Sequence, residues 1–174
     1  MKVIDNFLCD EDFKQIENEI CHSHKFPFYP YEYQVHKGDG QFQFVHEFYS
    51  HGVPISDKID IAFSFMNKIT SKGNYVPLRI KANCTTKTHE HEKSSFHIDL
   101  YDIIQEYETA IFYVNTNNGW TEFEDGTKVE SVANRMVMFS GKTKHRGVSQ
   151  TDIPFRYVIN FNYLKCLEMD KDAQ

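Results

Sequence analysis

Phe96-His97-Ile98-Asp99-Leu100 sets an imidazole and a carboxylate two residues apart. In a strand, residues i and i+2 leave the same face, so His97 and Asp99 stand side by side while Phe96, Ile98 and Leu100 turn to a core. Such a pair fills two neighbouring positions on a metal, and a third ligand has to come from elsewhere. His145 can supply it from the polar turn Ser140-Gly141-Lys142-Thr143-Lys144-His145-Arg146-Gly147. Two histidines and one carboxylate make the facial triad of non-haem Fe(II) oxygenases, which leaves three metal positions open. The His-x-Asp pair alone is also what a histidine hydrogen-bonded to a neighbouring aspartate looks like.

Arg156 opens the strand-like run Arg156-Tyr157-Val158-Ile159-Asn160-Phe161, and only four arginines occur in the chain. A guanidinium there can clamp the far end of a dicarboxylate with two parallel hydrogen bonds. The plainer alternative is a strand-edge arginine reaching solvent.

The elements that must position these groups are legible as patterns. Residues 2–8 read as a short strand or lead-in. Asp10, Glu11 and Asp12 favour a helix start, and Phe13, Ile16 and Ile20 make 10–23 an amphipathic helix. Residues 26–52 are irregular and aromatic, with a turn at Lys37-Gly38-Asp39-Gly40 that suggests a hairpin. Ser56 can cap a second helix carrying Ile59, Ala62, Phe63, Met66 and Ile69 on one face, and Gly73 can end it. Beyond it, strands are expected at 76–84, 95–100, 109–114, 119–123, 134–139 and 154–163. Asn-Asn-Gly and Glu-Asp-Gly turns separate several of them. The fold class is α+β: N-terminal helices over 1–75 supporting a barrel core over 76–163, with a charged tail at 168–174, all in one domain spanning 1–174.

Composition narrows the function. The chain has 174 residues, a net charge of −6, and 15% aromatics from 15 Phe, 10 Tyr and one Trp. That aromatic share suits a packed β core. The acidic balance argues against a nucleic-acid partner. A mean hydropathy of −0.56 and the lack of a long apolar run argue against a membrane span. Acids from Asp5 onward do not suit a signal peptide. Four cysteines without framework spacing read as free thiols, so a cytoplasmic, reducing location is expected.

With these residues in place, the chain resembles the 2-oxoglutarate/Fe(II)-dependent dioxygenases, in particular their prolyl-4-hydroxylase-like branch. The pattern falls on His97, Asp99, His145 and Arg156, on Thr109-Ala110-Ile111-Phe112-Tyr113-Val114-Asn115, and on the lead-in Lys2–Phe13. The resemblance implies a double-stranded β-helix core, Fe(II), 2-oxoglutarate and O₂, with ascorbate as support. It implies Tyr113 beside Arg156 on the cosubstrate's distal carboxylate, hydroxylation with release of succinate and CO₂, and a peptidyl proline as the favoured target. Asn83 is the candidate for the cosubstrate's C1 end, and Tyr31, Tyr33 and Trp120 for substrate contacts.

The chain departs from the family at Gly119-Trp120-Thr121-Glu122-Phe123, where Trp120 replaces a second glycine, and at Val158, where some members have serine. A free small molecule, a modified nucleobase, or a non-catalytic metal- or ligand-binding barrel are the alternative readings. His89-Glu90-His91 reads as a solvated loop.

Overall fold

The computed structural model describes residues 1–69, 75–101, 103 and 106–165. The expected end of the second helix at Gly73 and the tail at 168–174 lie outside them. Eleven strands are found among the described residues: β1 (Lys2–Ile4), β2 (Tyr29–Tyr31), β3 (Gln43–Ser50), β4 (Val53–Pro54), β5 (Tyr75–Thr86), β6 (Tyr107–Tyr113), β7 (Trp120–Phe123), β8 (Lys128–Glu130), β9 (Arg135–Ser140), β10 (His145–Val148) and β11 (Phe155–Lys165). The helices are α1 (Asp10–Glu17), which runs on into a π-helical turn at Asn18–His22, and α2 (Ile59–Ile69).

The strands form two antiparallel sheets. The large sheet runs β1-β9-β6-β11-β5-β3-β2, with β4 on β3, and the small one runs β10-β7-β8. The N-terminal third is therefore not only helical support. It also contributes β1 to β4 to the large sheet, because its β-branched and aromatic runs find free edges there.

Period-2 alternation in the long strands builds two different faces. From β11, Ile159, Phe161 and Tyr163 join Ile80, Ala82, Ala110, Phe112 and Met136. This outer face packs on Ile16 and Ile20 and on Phe65, Met66 and Ile69 of α2. The opposite face holds Val158, Ile111, Tyr113, Val137 and Phe139, which close on Phe123 and Val129 of the small sheet. Between these apolar cores, the inner face of β5 and β11 is polar. Arg79, Lys81, Asn83 and Thr85 lie in register with Asn162, Asn160, Val158 and Arg156.

The turn at 37–40 closes the long connection between β2 and β3. Asp39 Oδ2 accepts backbone N–H bonds from Gln34 (3.1 Å), Val35 (2.8 Å) and His36 (3.3 Å), and its Oδ1 accepts one from Gln41 (3.0 Å). Gly38 and Gly40 take φ of 86° and 74°, values that a side chain would resist. The folded loop brings Gln34 and Val35 over the polar face.

Candidate active site

The segment 95–100 is not the strand its sequence suggests. It makes an isolated bridge, in which His97 pairs with His145. Each donates its backbone N–H to the other's carbonyl at 3.0 Å. Pairing stops there because Tyr107 takes over the backbone of Leu100: its hydroxyl accepts from Leu100 N at 3.1 Å. One bridge suffices to set the two imidazoles beside each other, with ring centroids 4.8 Å apart and ring planes tilted by 42°.

Ligand atoms of His97, Asp99 and His145 lie within 4.8 Å of one another. The Nδ1 of His97 lies 3.0 Å from the Ser95 carbonyl, and the Nδ1 of His145 lies 3.2 Å from the Thr143 carbonyl. A carbonyl only accepts, so both Nδ1 atoms carry a proton and Nε2 is the ring atom each histidine leaves for a metal. Burial, with the neighbouring His145 ring, pushes the His97 pKa down and keeps its Nε2 lone pair available.

Asp99 is held ionised. Burial works to raise its pKa, but His145, Arg79, Lys81 and the Asn162 amide together hold it well below the usual carboxylate range. Asn162 Nδ2 donates to Oδ2 at 2.9 Å and Arg79 Nη2 to Oδ1 at 3.3 Å. Two imidazoles that turn Nε2 to one point and one charged carboxylate are a donor set that fits a divalent transition metal with open positions.

Triad and Arg156 face one inner cavity of about 80 Å³, which Lys81, Asn83 and Thr121 also line. Arg156 is only 7% exposed. Its Nε donates to Ser131 Oγ at 2.8 Å, and it makes no ion pair among the described residues. Burial lowers its pKa, and no carboxylate offsets the effect. Along the same polar face, Arg79 Nε, Asn83 Oδ1, Thr85 Oγ1, Asn160 Oδ1 and Asn162 Oδ1 are buried without a partner. Five orphaned polar atoms on one sheet face are costly, at about 1–3 kcal/mol each, unless a polar ligand or water satisfies them. The three amide oxygens call for donors such as water, whereas Arg156, which has no carboxylate partner among the described residues, can take the anionic end of a ligand whose other end meets a metal held by the triad.

Several residues sit elsewhere than the sequence suggests. Tyr113 lies beneath the cavity wall, with its hydroxyl donating to Thr121 Oγ1 at 2.7 Å and the Arg156 guanidinium 5.7 Å from its ring centre. Thr121, not Tyr113, lines the cavity. Trp120 points away from it. The indole packs against His91 at 4.8 Å, the two rings tilted by 59°, with Lys128 Nζ over its own ring, so it neither narrows the cleft nor enters the core. Tyr31 and Tyr33 pack edge to face at 4.8 Å and rim an outer cavity of about 240 Å³. His97 and Asp99 form part of the floor of that cavity. Sequence reasoning missed Arg79, Lys81, Thr85, Thr121, Asn160 and Asn162. The signal was the alternation along Arg79–Thr85 and Arg156–Asn162, which marks one face as polar.

No family model matches the chain, and no curated protein matches its sequence. Solved structures do match it. An oxidoreductase of the 2OG-Fe(II) oxygenase family from Burkholderia pseudomallei aligns over 92% of this chain and 83% of its own, with TM-score 0.70 and 11% identity. A prolyl-4-hydroxylase from Pseudomonas putida aligns over 95% and 92%, with TM-score 0.66 and 14% identity. The chain has the fold of the 2-oxoglutarate/Fe(II) oxygenases. A prolyl hydroxylase from Trichoplax adhaerens, solved with a hypoxia-inducible-factor peptide, shares the oxygenase fold at TM-score 0.63 and 15% identity, over 94% and 82% of the two chains. No helix among the described residues is long and apolar enough to cross a membrane.

Proposed function

We propose that the chain is an Fe(II)- and 2-oxoglutarate-dependent dioxygenase that hydroxylates a peptidyl residue, with proline as the first candidate. The observation that carries the reading is one cavity lined both by His97, Asp99 and His145 and by an arginine that lacks an acidic partner. Fe(II) with O₂ and 2-oxoglutarate would supply the oxidation: the keto acid loses CO₂ to become succinate, and the second oxygen atom enters a substrate C–H bond.

The chain's own residues position and shield this chemistry. His97 and His145 offer Nε2, and Asp99 lowers the charge of the bound metal. Arg156 holds the distal carboxylate, with Thr121 as the hydroxyl beside it. Tyr113 orients Thr121 from below rather than meeting the cosubstrate directly. Asn83 lines the same cavity, and its amide N–H groups are the donors on offer to the C1 carboxylate. Ascorbate would keep the iron reduced between turnovers. Tyr31 and Tyr33 offer flat, half-polar walls to an extended peptide. Cys9, Cys21 and Cys84 are free thiols, which supports a cytoplasmic setting.

The test is a screen of proline peptides with Fe(II) and 2-oxoglutarate, scored by mass. Gain of one oxygen on proline, matched by an equal yield of succinate, supports the reading. Oxygen gain on a free small molecule or a nucleobase, with none on any peptide, would move it to the alternative substrates.

A further inference from the structure

Lys81 separates the inner cavity from the outer one and lines both. It stands mid-strand on the inner face of β5, opposite Asn160 on one side and Glu47 on the other. Its ammonium makes no hydrogen bond and no ion pair among the described residues. Burial, helped by Arg79, pushes its pKa down to about 8, against the opposing pull of Asp99 and Glu47. With no partner among the described residues, its three donors are free for a ligand that enters either cavity.

Arg79, two residues before it, adds a second unspent donor set. One nitrogen reaches Asp99 at 3.3 Å, and its Nε is buried without a partner. The acids lining the outer cavity are Asp99 and Glu47. Asp99 is shared between Arg79 and the metal position. Glu47 is exposed and forms no ion pair with Lys81. The floor of this cavity thus sets two cations against two carboxylates, with Arg79 already paired to Asp99 and Lys81 left without an ion pair among the described residues.

We propose that the outer cavity takes a substrate with an anionic group close to the carbon that is oxidised, and that Lys81, backed by Arg79, is the specificity residue that meets it. The inference rests on the peptide-hydroxylase reading and narrows it to acidic peptides. The shared chemistry is a carboxylate, from an Asp or Glu side chain beside the target or from a peptide C-terminus at the target. Tyr31, Tyr33 and Tyr101 would flank the peptide, and the carboxylate would reach the floor between them.

The experiment uses matched proline peptides on the full chain with Fe(II) and 2-oxoglutarate. One pair carries Glu or Gln next to proline, and another ends at proline as the free acid or the amide. Oxygen gain is read by mass, and binding of the same peptides is read by calorimetry without oxygen. The wild type is expected to favour the acid of one pair by about tenfold or more, the usual worth of a hydrogen bond to a charged group. The pair that discriminates names the source of the carboxylate. Lys81→Met should level that pair, with the loss in the peptide's KM rather than in that of 2-oxoglutarate. Lys81→Glu should turn the preference towards a Lys-containing peptide.

A wild type indifferent to the carboxylate overturns the proposal without recourse to any variant. So does a Lys81→Met protein that keeps the preference while its 2-oxoglutarate KM rises, which would assign Lys81 to the cosubstrate. If no peptide binds or gains oxygen while succinate still forms, the peptide reading itself fails and the inference falls with it.

Discussion

Arg156 carries a buried charge for which the described residues provide no carboxylate, only Ser131 Oγ and the face of the Tyr113 ring. Replacing it with Met is expected to weaken 2-oxoglutarate binding by about 10–100-fold, since a bidentate charge-assisted contact is lost. Calorimetry on the metal-loaded protein measures this, and unchanged affinity would remove Arg156 from the cosubstrate site. Arg156 and the triad were legible because charged and metal-binding side chains are rare in apolar surroundings. Thr121, Lys81 and Arg79 were not, since one threonine or lysine in a strand has no such contrast. Tyr113 illustrates the limit: its type suits the role, but its place in the strand buries the hydroxyl under Thr121.

His46 gives a residue-scale prediction away from the metal ligands. Its Nδ1 donates to the Pro27 carbonyl at 2.8 Å, and its Nε2 accepts from Ser56 Oγ at 2.8 Å. Burial pushes its pKa below the ordinary value, against that Pro27 contact. Burial moves His97 the same way. The unfolded chain then binds more protons than the folded one between the two pKa values, so stability rises with pH across that window. It is fully present above about pH 6.5 and erodes as the pH falls towards the folded pKa. Urea melts of the metal-free protein should show a midpoint that drops from about pH 7.5 to about pH 5.5. The drop should be smaller in His46→Gln, and an equal drop would show that His46 does not titrate as described.

At the scale of elements, the hinge between the two sheets is sensitive at Gly119. A Cβ there would meet the Val148 carbonyl oxygen at 2.8 Å and Asn117 Oδ1 at 2.9 Å. Gly119→Ala should therefore force β7 away from β10 and destabilise the fold by about 1–3 kcal/mol. A thermal melt reads the loss. Since β10 carries His145, metal affinity should fall as well. An unshifted melt would mean that the loop relaxes freely.

Long strands with clear alternation, β5, β6, β9 and β11, were readable to within a few residues because period 2 persists over a whole strand. The amphipathic faces of α1 and α2 were readable for the same reason at period 3.6. The 95–100 segment looked like a strand but pairs only through His97, because pairing depends on a partner edge that local sequence does not encode. Strands β1 to β4 were obscured by being short, and by belonging to a sheet whose other members lie far along the chain.

For the whole molecule, the triad joins segments that are 48 residues apart in sequence, so a metal bound there ties the 95–100 segment to β10 of the small sheet. A ligand that binds only the folded chain adds about 2.7 kcal/mol at a hundred times its Kd. For a chain of this length that is roughly 5–10 °C in Tm. Fe(II) under anaerobic conditions, or Mn(II) in its place, should raise the Tm of the wild type and leave His145→Ala unmoved. An equal rise in both would put the metal elsewhere.

The central claim is that His97, Asp99, His145 and Arg156 form one oxidative site. The most direct measurement is succinate release from 2-oxoglutarate with Fe(II), ascorbate and air, wild type beside His97→Ala. Slow succinate formation by the wild type, absent in the variant, is the predicted result. Absence of succinate from both, together with failure of the wild type to bind either Fe(II) or 2-oxoglutarate, would contradict the account and leave a barrel that serves as a scaffold.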